Sequence, residues 1–250
     1  MDPAVLREDM VDGLETPPKG VLEDEAVALA MREVPRHVFV PERTAYTDRE
    51  HEILETRALA PSTAARLLQA LAPEPGDSVL IVGVGVGYTA AVAAELVGET
   101  NVHALDISRP VVFYARERLS EAGYNGVLVD CRDGASGLPE YAPFDRILLE
   151  AAVVDPPRTL IEQLADGGRL VYPRGIQVQQ LEALSSAGNR TSFGAVSLEP
   201  LLIDGEQPGT VERNRTARED REHAAQRARS RRGWEREWIE WDDSIDPRSG

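Results

Sequence analysis

Ser78-Val79-Leu80-Ile81-Val82-Gly83-Val84-Gly85-Val86-Gly87 is the stretch that decides the fold: an aliphatic run, then glycine at every second position. The run reads as a buried β-strand. Tyr88-Thr89-Ala90-Ala91-Val92-Ala93-Ala94-Glu95-Leu96 follows and reads as a helix, so the glycines occupy a strand-to-helix turn. Glycine there permits backbone conformations closed to other residues and lets a ligand approach the main chain, while the helix start offers free N–H groups. A merely tight turn would use the same residues. Spacing discriminates further, because the dinucleotide fingerprint G-x-G-x-x-G needs glycine at position 88, which holds Tyr88. G-x-G-x-G suits S-adenosylmethionine better than a nicotinamide dinucleotide.

Outward from this turn the chain alternates. NVHALD (101–106), GVLVD (126–130), FDRILLE (144–150) and GRLVYP (168–173) read as further strands. AAVAAEL, PVVFYARERLSEAG and PRTLIEQLADGG read as helices between them, the last two closed by glycine. Strands alternating with helices imply a mostly parallel sheet covered on both faces. QVQQLEAL and TSFGAVSLEPLLI flank a turn signal at Gly188 and Asn189, which adds a C-terminal antiparallel hairpin. Residues 1–60 read as an N-terminal helical region ending in a loop, 61–205 as the α/β core, and 206–250 as a charged tail.

Two acids sit where the sheet would present them to a ligand. Asp106 ends the second strand of the core, where a carboxylate can accept hydrogen bonds from both hydroxyls of a ribose. A solvated strand-end acid is its plainer reading. Asp133 and Gly134 follow the third strand, where the loop would face an adenine ring; alone, the pair is equally a turn signal.

Composition narrows the class. The formal net charge of −16 argues against nonspecific nucleic-acid binding, because an acidic surface repels phosphate. Lys19 is the single lysine among 27 basic residues, a bias that fits a high-salt interior where screening offsets self-repulsion. The four histidines and Cys131 show no zinc spacing, so no metal is expected. Cys131 follows an apolar run and is expected to be buried. The chain has no membrane span or signal-peptide pattern, so a cytoplasmic protein is expected. In the tail, WEREWIEW (234–241) places Trp234, Trp238 and Trp241 on one helical face, expected to dock on the core; its arginines are interleaved with acids and read as an exposed charged helix.

VPRHVFVP (34–41) with AYTD (45–48), RDGASGLPEYAPFD (132–145), AAVVDPPRTLIEQLADGGRLVYPRG (151–175) and LEPLLIDG (198–205) together resemble the protein-L-isoaspartate O-methyltransferases, in order, over residues 20–205. The resemblance implies a Rossmann-like methyltransferase fold, S-adenosylmethionine as cofactor and damaged proteins or peptides as substrate. It implies methyl transfer to the L-isoaspartyl carboxylate, then loss of methanol as a succinimide closes. By position, Gly83, Gly85, Gly87, Asp106, Asp133 and Gly134 would bind the cofactor. A monomer is expected.

Two positions differ from the family pattern. A glutamate usually stands two residues before the first glycine, where this chain has Ile81. The family's substrate-loop serine aligns with Leu59, inside HEILETRALAP (51–61), which also lacks the family's glycines. Leu59 and the nearby hydroxyl of Thr56 are therefore the candidate catalytic positions, with Ser62 or Thr63 expected to cap the next helix. His37 is expected to be structural, since a carboxylate acceptor needs no base. The alternatives are a non-catalytic protein-binding descendant and a methyltransferase for another carboxylate.

Overall fold

The computed structural model describes residues 2–54 and 56–203, and residues 1–204 form one compact unit. The chain opens with α1 (Pro3–Glu15), α2 (Glu25–Glu33) and α3 (Arg36–Phe39), then a small hairpin of β1 (His51–Ile53) and β2 (Thr56–Ala58). There follow α4 (Pro61–Leu71), β3 (Val79–Val82), α5 (Tyr88–Val97), β4 (Val102–Asp106), α6 (Arg109–Glu121), β5 (Leu128–Cys131), β6 (Phe144–Leu149), α7 (Arg158–Ile161), β7 (Leu164–Arg174), β8 (Gln179–Ser185) and β9 (Arg190–Val196). The main sheet has seven strands in the order β5-β4-β3-β6-β7-β8-β9. β3 through β7 pair in parallel, and β8 and β9 form the expected antiparallel hairpin at one edge.

Side-chain alternation along β3 divides the core between the two faces of the sheet. Val79 and Ile81 enter one apolar cluster together with Val27, Met31, Leu67 and Val92 from the helices. Leu80 and Val82 enter the other, with Leu105, Phe144, Ile147 and Leu160. β3 is buried on both sides, which accounts for its uninterrupted aliphatic sequence. The N-terminal helices are tied by Arg32 of α2, which donates to Glu8, Asp12 and Glu15 of α1 at 2.9, 2.7 and 2.7 Å.

Three local expectations are corrected. PRTLIEQLADGG is helical only over Arg158–Ile161, because Leu164 already pairs with Phe144 as the first residue of β7. The Phe144 N–H donates to the Gln163 carbonyl at 2.8 Å, and the Gln163 side chain is held by Leu138 N and Ser136 O, so tertiary pairing overrides helical propensity. Cys131 is exposed, since it is the last residue of an edge strand. Neither Ser62 nor Thr63 caps α4. Its N-cap is Ala60, and the Asp48 carboxylate accepts from the Ser62 N–H at 2.9 Å, a cap supplied from a distant segment. The tryptophan face and arginine-rich stretch of residues 206–250 lie outside the described residues.

Candidate functional site

The site forms at the carboxyl ends of the parallel strands, where successive loops are presented side by side. After β3 the chain turns through Gly83, Gly85 and Gly87, all with positive φ (+88°, +52° and +92°). Two hydrogen bonds lock the turn to β4, from Gly83 N and Val84 N to Leu105 O at 2.8 and 3.0 Å. The β1–β2 hairpin lies against the turn: a Cβ at Gly85 would sit 3.5 Å from Thr56 Oγ1 and 3.7 Å from Arg57 O.

Asp106 closes β4 beside this turn. Its Oδ2 accepts from Gly85 N at 3.2 Å and its Oδ1 from Ser108 N at 3.0 Å. Burial raises the Asp106 pKa, and the backbone donors oppose that shift. Each carboxylate oxygen keeps further acceptor capacity toward a hydroxyl-bearing ligand. One strand further out, the Asp133 Oδ1 accepts from Ala135 N at 2.8 Å and caps a short 3-10 turn over Gly134–Ser136. Gly134 is buried beneath it, and a Cβ there would come within 2.6 Å of Val82 Cγ1. Glycine at 134 thus lets the loop seat on the sheet. Gly83, Gly85, Gly87, Asp106 and Asp133 lie at or just past the ends of three adjacent strands, in the sheet order β5-β4-β3.

On the other side of β3, a cavity of roughly 110 Å³ opens next to the glycine turn. Thr56, Arg57 and Leu59 from the hairpin segment line it, facing Glu150, Ser197 and Leu198. Both candidate catalytic positions, Leu59 and Thr56, therefore line one cavity. Arg57 is the cation of this lining. Glu199 holds it at 3.1 Å and Glu50 at 3.7 Å.

Sequence reasoning missed Glu150, which directly follows β6. Its N–H donates to Val82 O at 2.9 Å, extending the β3–β6 pairing by one step. Its Oε1 is buried and has no hydrogen-bond partner among the described residues. Burial pushes the carboxyl up to about 8, with hydrogen bonding from the Thr89 hydroxyl pulling down and the Asp106 charge pushing up. The signal was an acid ending an aliphatic central strand, and it was read only as the strand's last residue. Arg57 and Ser197 carried no motif at all. His37 donates to or accepts from the Tyr46 hydroxyl through Nδ1 at 2.6 Å, a tether between the two halves of the 34–48 signature.

A mostly parallel sheet with this glycine turn, a strand-end acid and an adjoining cavity defines a Rossmann-like methyltransferase. The chain belongs to the protein-L-isoaspartate(D-aspartate) O-methyltransferase family, which residues 7–198 match. The protein-L-isoaspartate O-methyltransferase of Methanosarcina mazei is 42% identical over 181 residues, covering 70% of this chain and 73% of that protein. That of Aeropyrum pernix is 45% identical over 162 residues, covering 62% of each. A solved protein-L-isoaspartate O-methyltransferase structure superposes with a TM-score of 0.69 at 26% identity, covering 78% of this chain and 65% of that one. A Plasmodium falciparum structure described as a putative member, in complex with S-adenosyl-L-homocysteine, shares the fold with a TM-score of 0.70 at 21% identity, covering 78% of this chain and 98% of that one.

Proposed function

We propose that this protein is a repair enzyme that methylates the free carboxylate of L-isoaspartyl residues in damaged proteins, with S-adenosylmethionine as methyl donor. The observation that carries the reading is the cavity between Thr56, Leu59 and Glu150, which opens directly beside the glycine turn in a chain of this family. The residues present fit the cofactor: Gly83 and Gly85, in positive φ, leave the turn free of side chains, Gly87 lets it pack against Ala115 and Leu119 of α6, and the Asp106 carboxylate keeps lone pairs for ribose hydroxyls. Gly83, Gly85 and Gly87 would carry the cofactor backbone-first, Asp106 its ribose, and the Asp133–Gly134 loop its adenine.

When bound, the cofactor supplies a methyl group on a sulfonium, an electrophile that an anionic oxygen can take directly. The acceptor carboxylate, with a pKa near ~4, is already that anion at neutral pH, so no residue of this chain has to remove a proton. What the chain contributes is position and dryness. Leu59, just past the β1–β2 hairpin, walls the cavity, Thr56 stands beside Gly85, and Arg57 offsets part of the negative charge of Glu50 and Glu199 in the same lining. The resulting ester then loses methanol as the neighbouring backbone nitrogen closes a succinimide.

A second reading, methyl transfer to another carboxylate, is supported by Leu59, which lines the cavity and which the resemblance aligns with the family's serine. Methyl transfer from labelled S-adenosylmethionine to an isoaspartyl peptide, against its aspartyl counterpart, at molar salt, separates the two. Turnover of the isoaspartyl peptide alone is expected; cofactor binding without such turnover would move the function to the second reading. No helix among the described residues is long and apolar enough to cross a membrane. We place the protein in the cytoplasm as a monomer, with its −16 charge matched to high salt.

A further inference from the structure

The carboxyl ends of β5, β4, β3 and β6 lie in that order, and Asp133, Asp106, Gly83 and Glu150 follow them in turn. S-adenosylmethionine is a linear sequence of adenine, ribose, sulfonium and amino acid. With adenine at Asp133 and ribose at Asp106, the amino-acid end falls over Gly83 and Glu150. We infer that the Glu150 carboxylate receives the ammonium group at that end of the cofactor. The inference rests on the cofactor site proposed above.

Three observations carry it. First, Glu150 is next to the turn: a Cβ at Gly83 would lie 3.7 Å from the Glu150 Cβ, in ordinary contact, so the Glu150 side chain starts directly beside the first glycine. Second, its Oε1 is buried and unpartnered, in a cavity wall where a buried acceptor without a donor is costly and implies a ligand that brings one. Third, no cation among the described residues takes that role. Arg57, across the cavity, is held by Glu199 and Glu50 and forms no salt bridge with Glu150 among the described residues. Ile81 sits on the same side of the sheet but is fully buried in the helix-side core, so it offers no polar group to the site. Glu150 comes from the neighbouring strand, whose Leu148 pairs with Ile81, and projects one alternation nearer the ligand end.

The groups facing Glu150 are the Thr89 hydroxyl from α5, Asp106 from β4, and Glu50, Arg57 and Glu199 across the cavity. In the free protein, burial holds the carboxyl protonated near neutrality, with a pKa of about 8. An incoming ammonium favours the carboxylate, so binding expels the proton.

Isothermal titration calorimetry of the full chain with S-adenosylmethionine and with S-adenosylhomocysteine, in two buffers of different ionisation enthalpy, tests this. At pH 6.5 the wild type is expected to release about one proton on binding either compound, and by pH 9 that release gives way to proton uptake, because Glu150 is then mostly ionised while the ligand's free amino group, with a pKa of about 8, must gain a proton to bind as ammonium. Glu150→Gln, which keeps the shape and removes the charge, is expected to bind both about ten-fold to a hundred-fold more weakly and to release no proton. The wild-type proton count needs no variant, so a misfolded Glu150→Gln leaves the inference testable. Unchanged affinity in Glu150→Gln, or no proton release by the wild type, overturns it. So does a loss confined to S-adenosylmethionine, which would place Glu150 at the sulfonium, or a raised KM for the isoaspartyl peptide alone, which would place it at the acceptor. A wild type that binds neither compound removes the cofactor site itself, and the inference with it.

Discussion

The Nη2 of Arg36 donates to the carbonyl of Leu59 at 2.6 Å, joining the VPRHVFVP segment to the wall of the cavity beside the glycine turn. The same guanidinium donates through Nε to Ala45 O at 2.8 Å and lies 4.4 Å from the centroid of the Tyr88 ring, in the first turn of the helix that follows the glycines. Arg36 is fully buried, and burial lowers its pKa. One cation therefore sets the relative position of the signature segment, the cavity wall and the helix that follows the glycine turn. Replacing it with methionine strands two buried carbonyls, each worth about 1–3 kcal/mol when left unpaired. Arg36→Met is expected to lose about 2–4 kcal/mol in urea unfolding. A loss below about 0.5 kcal/mol would mean that water replaces the guanidinium and that the segments are held by other contacts.

Gly85→Val is expected to abolish cofactor binding. The residue has φ of +52°, a region strained for any β-branched side chain, and its Cβ would face Thr56 Oγ1 at 3.5 Å. The added methyls would fill the gap between turn and hairpin. Calorimetry should show no binding by a variant whose circular dichroism matches the wild type; undiminished affinity would remove the turn from the cofactor site.

Asp106→Ala removes the acceptor proposed for the ribose. Charge-assisted hydrogen bonds are worth about 1.5–3 kcal/mol, so the dissociation constant should rise roughly ten-fold to a hundred-fold. Asp106 also accepts from Gly85 N and Ser108 N, so Asp106→Asn, which keeps one acceptor oxygen, should fall between wild type and alanine. Equal affinities across the three proteins would return Asp106 to a purely structural role.

Glu150 also sets a pH dependence of the free protein. Its folded pKa of about 8 stands above the ordinary 4.5, so the folded state holds a proton that the unfolded chain gives up. The resulting stability is fully present below pH 4.5 and is lost as pH rises through 8, an effect on the order of 2–4 kcal/mol. Urea unfolding of cofactor-free protein from pH 5 to 9 should therefore show a decline that Glu150→Gln abolishes. Parallel pH profiles for the two proteins would show that the carboxyl is solvated in solution.

The core was legible in the sequence wherever one local rule was decisive. The aliphatic run before Gly83 and the glycine spacing were enough to place β3, the turn and α5, since burial on both sides and positive φ leave few residue choices. Apart from Cys131, exposed because it ends an edge strand, the failures share a cause, which is a partner distant along the chain. The helix expected after Pro157 ends at Ile161 because Gln163 and Leu164 bond to residues 136–144. The cap of α4 is Asp48, 14 positions before Ser62, where no local cap pattern could point. Glu150 belongs to the same group: its significance comes from Gly83 across the β3–β6 pairing and from an unpartnered oxygen, neither of which is a property of its own segment.

Leu59→Ser is the prediction on which the substrate turns. Leu59 lines the cavity beside Thr56, its backbone is held by Arg36, and its side chain packs partly against the helix-side core. Serine at that position keeps the backbone anchor, since the Arg36 bond uses the carbonyl. It should cost about 1–2 kcal/mol of stability from lost apolar contact with the cluster that includes Val84 and Val86, while leaving cofactor affinity unchanged because the glycine backbone and the Arg36 anchor stay in place. In the cavity it adds a hydroxyl that can orient one acceptor oxygen, worth about 0.5–1.5 kcal/mol or roughly two-fold to ten-fold in rate on an isoaspartyl peptide. If Thr56, whose Oγ1 already lies next to Gly85, does that work in the wild type, the wild type is fast, Leu59→Ser changes nothing and Thr56→Val is the slow variant. A gain in Leu59→Ser with Thr56→Val silent assigns the acceptor position to residue 59. A chain that binds cofactor but leaves the isoaspartyl peptide unmethylated in all three forms takes a different carboxylate or is the non-catalytic binding protein, because a site that lacks only one orienting hydroxyl would still show the slow reaction.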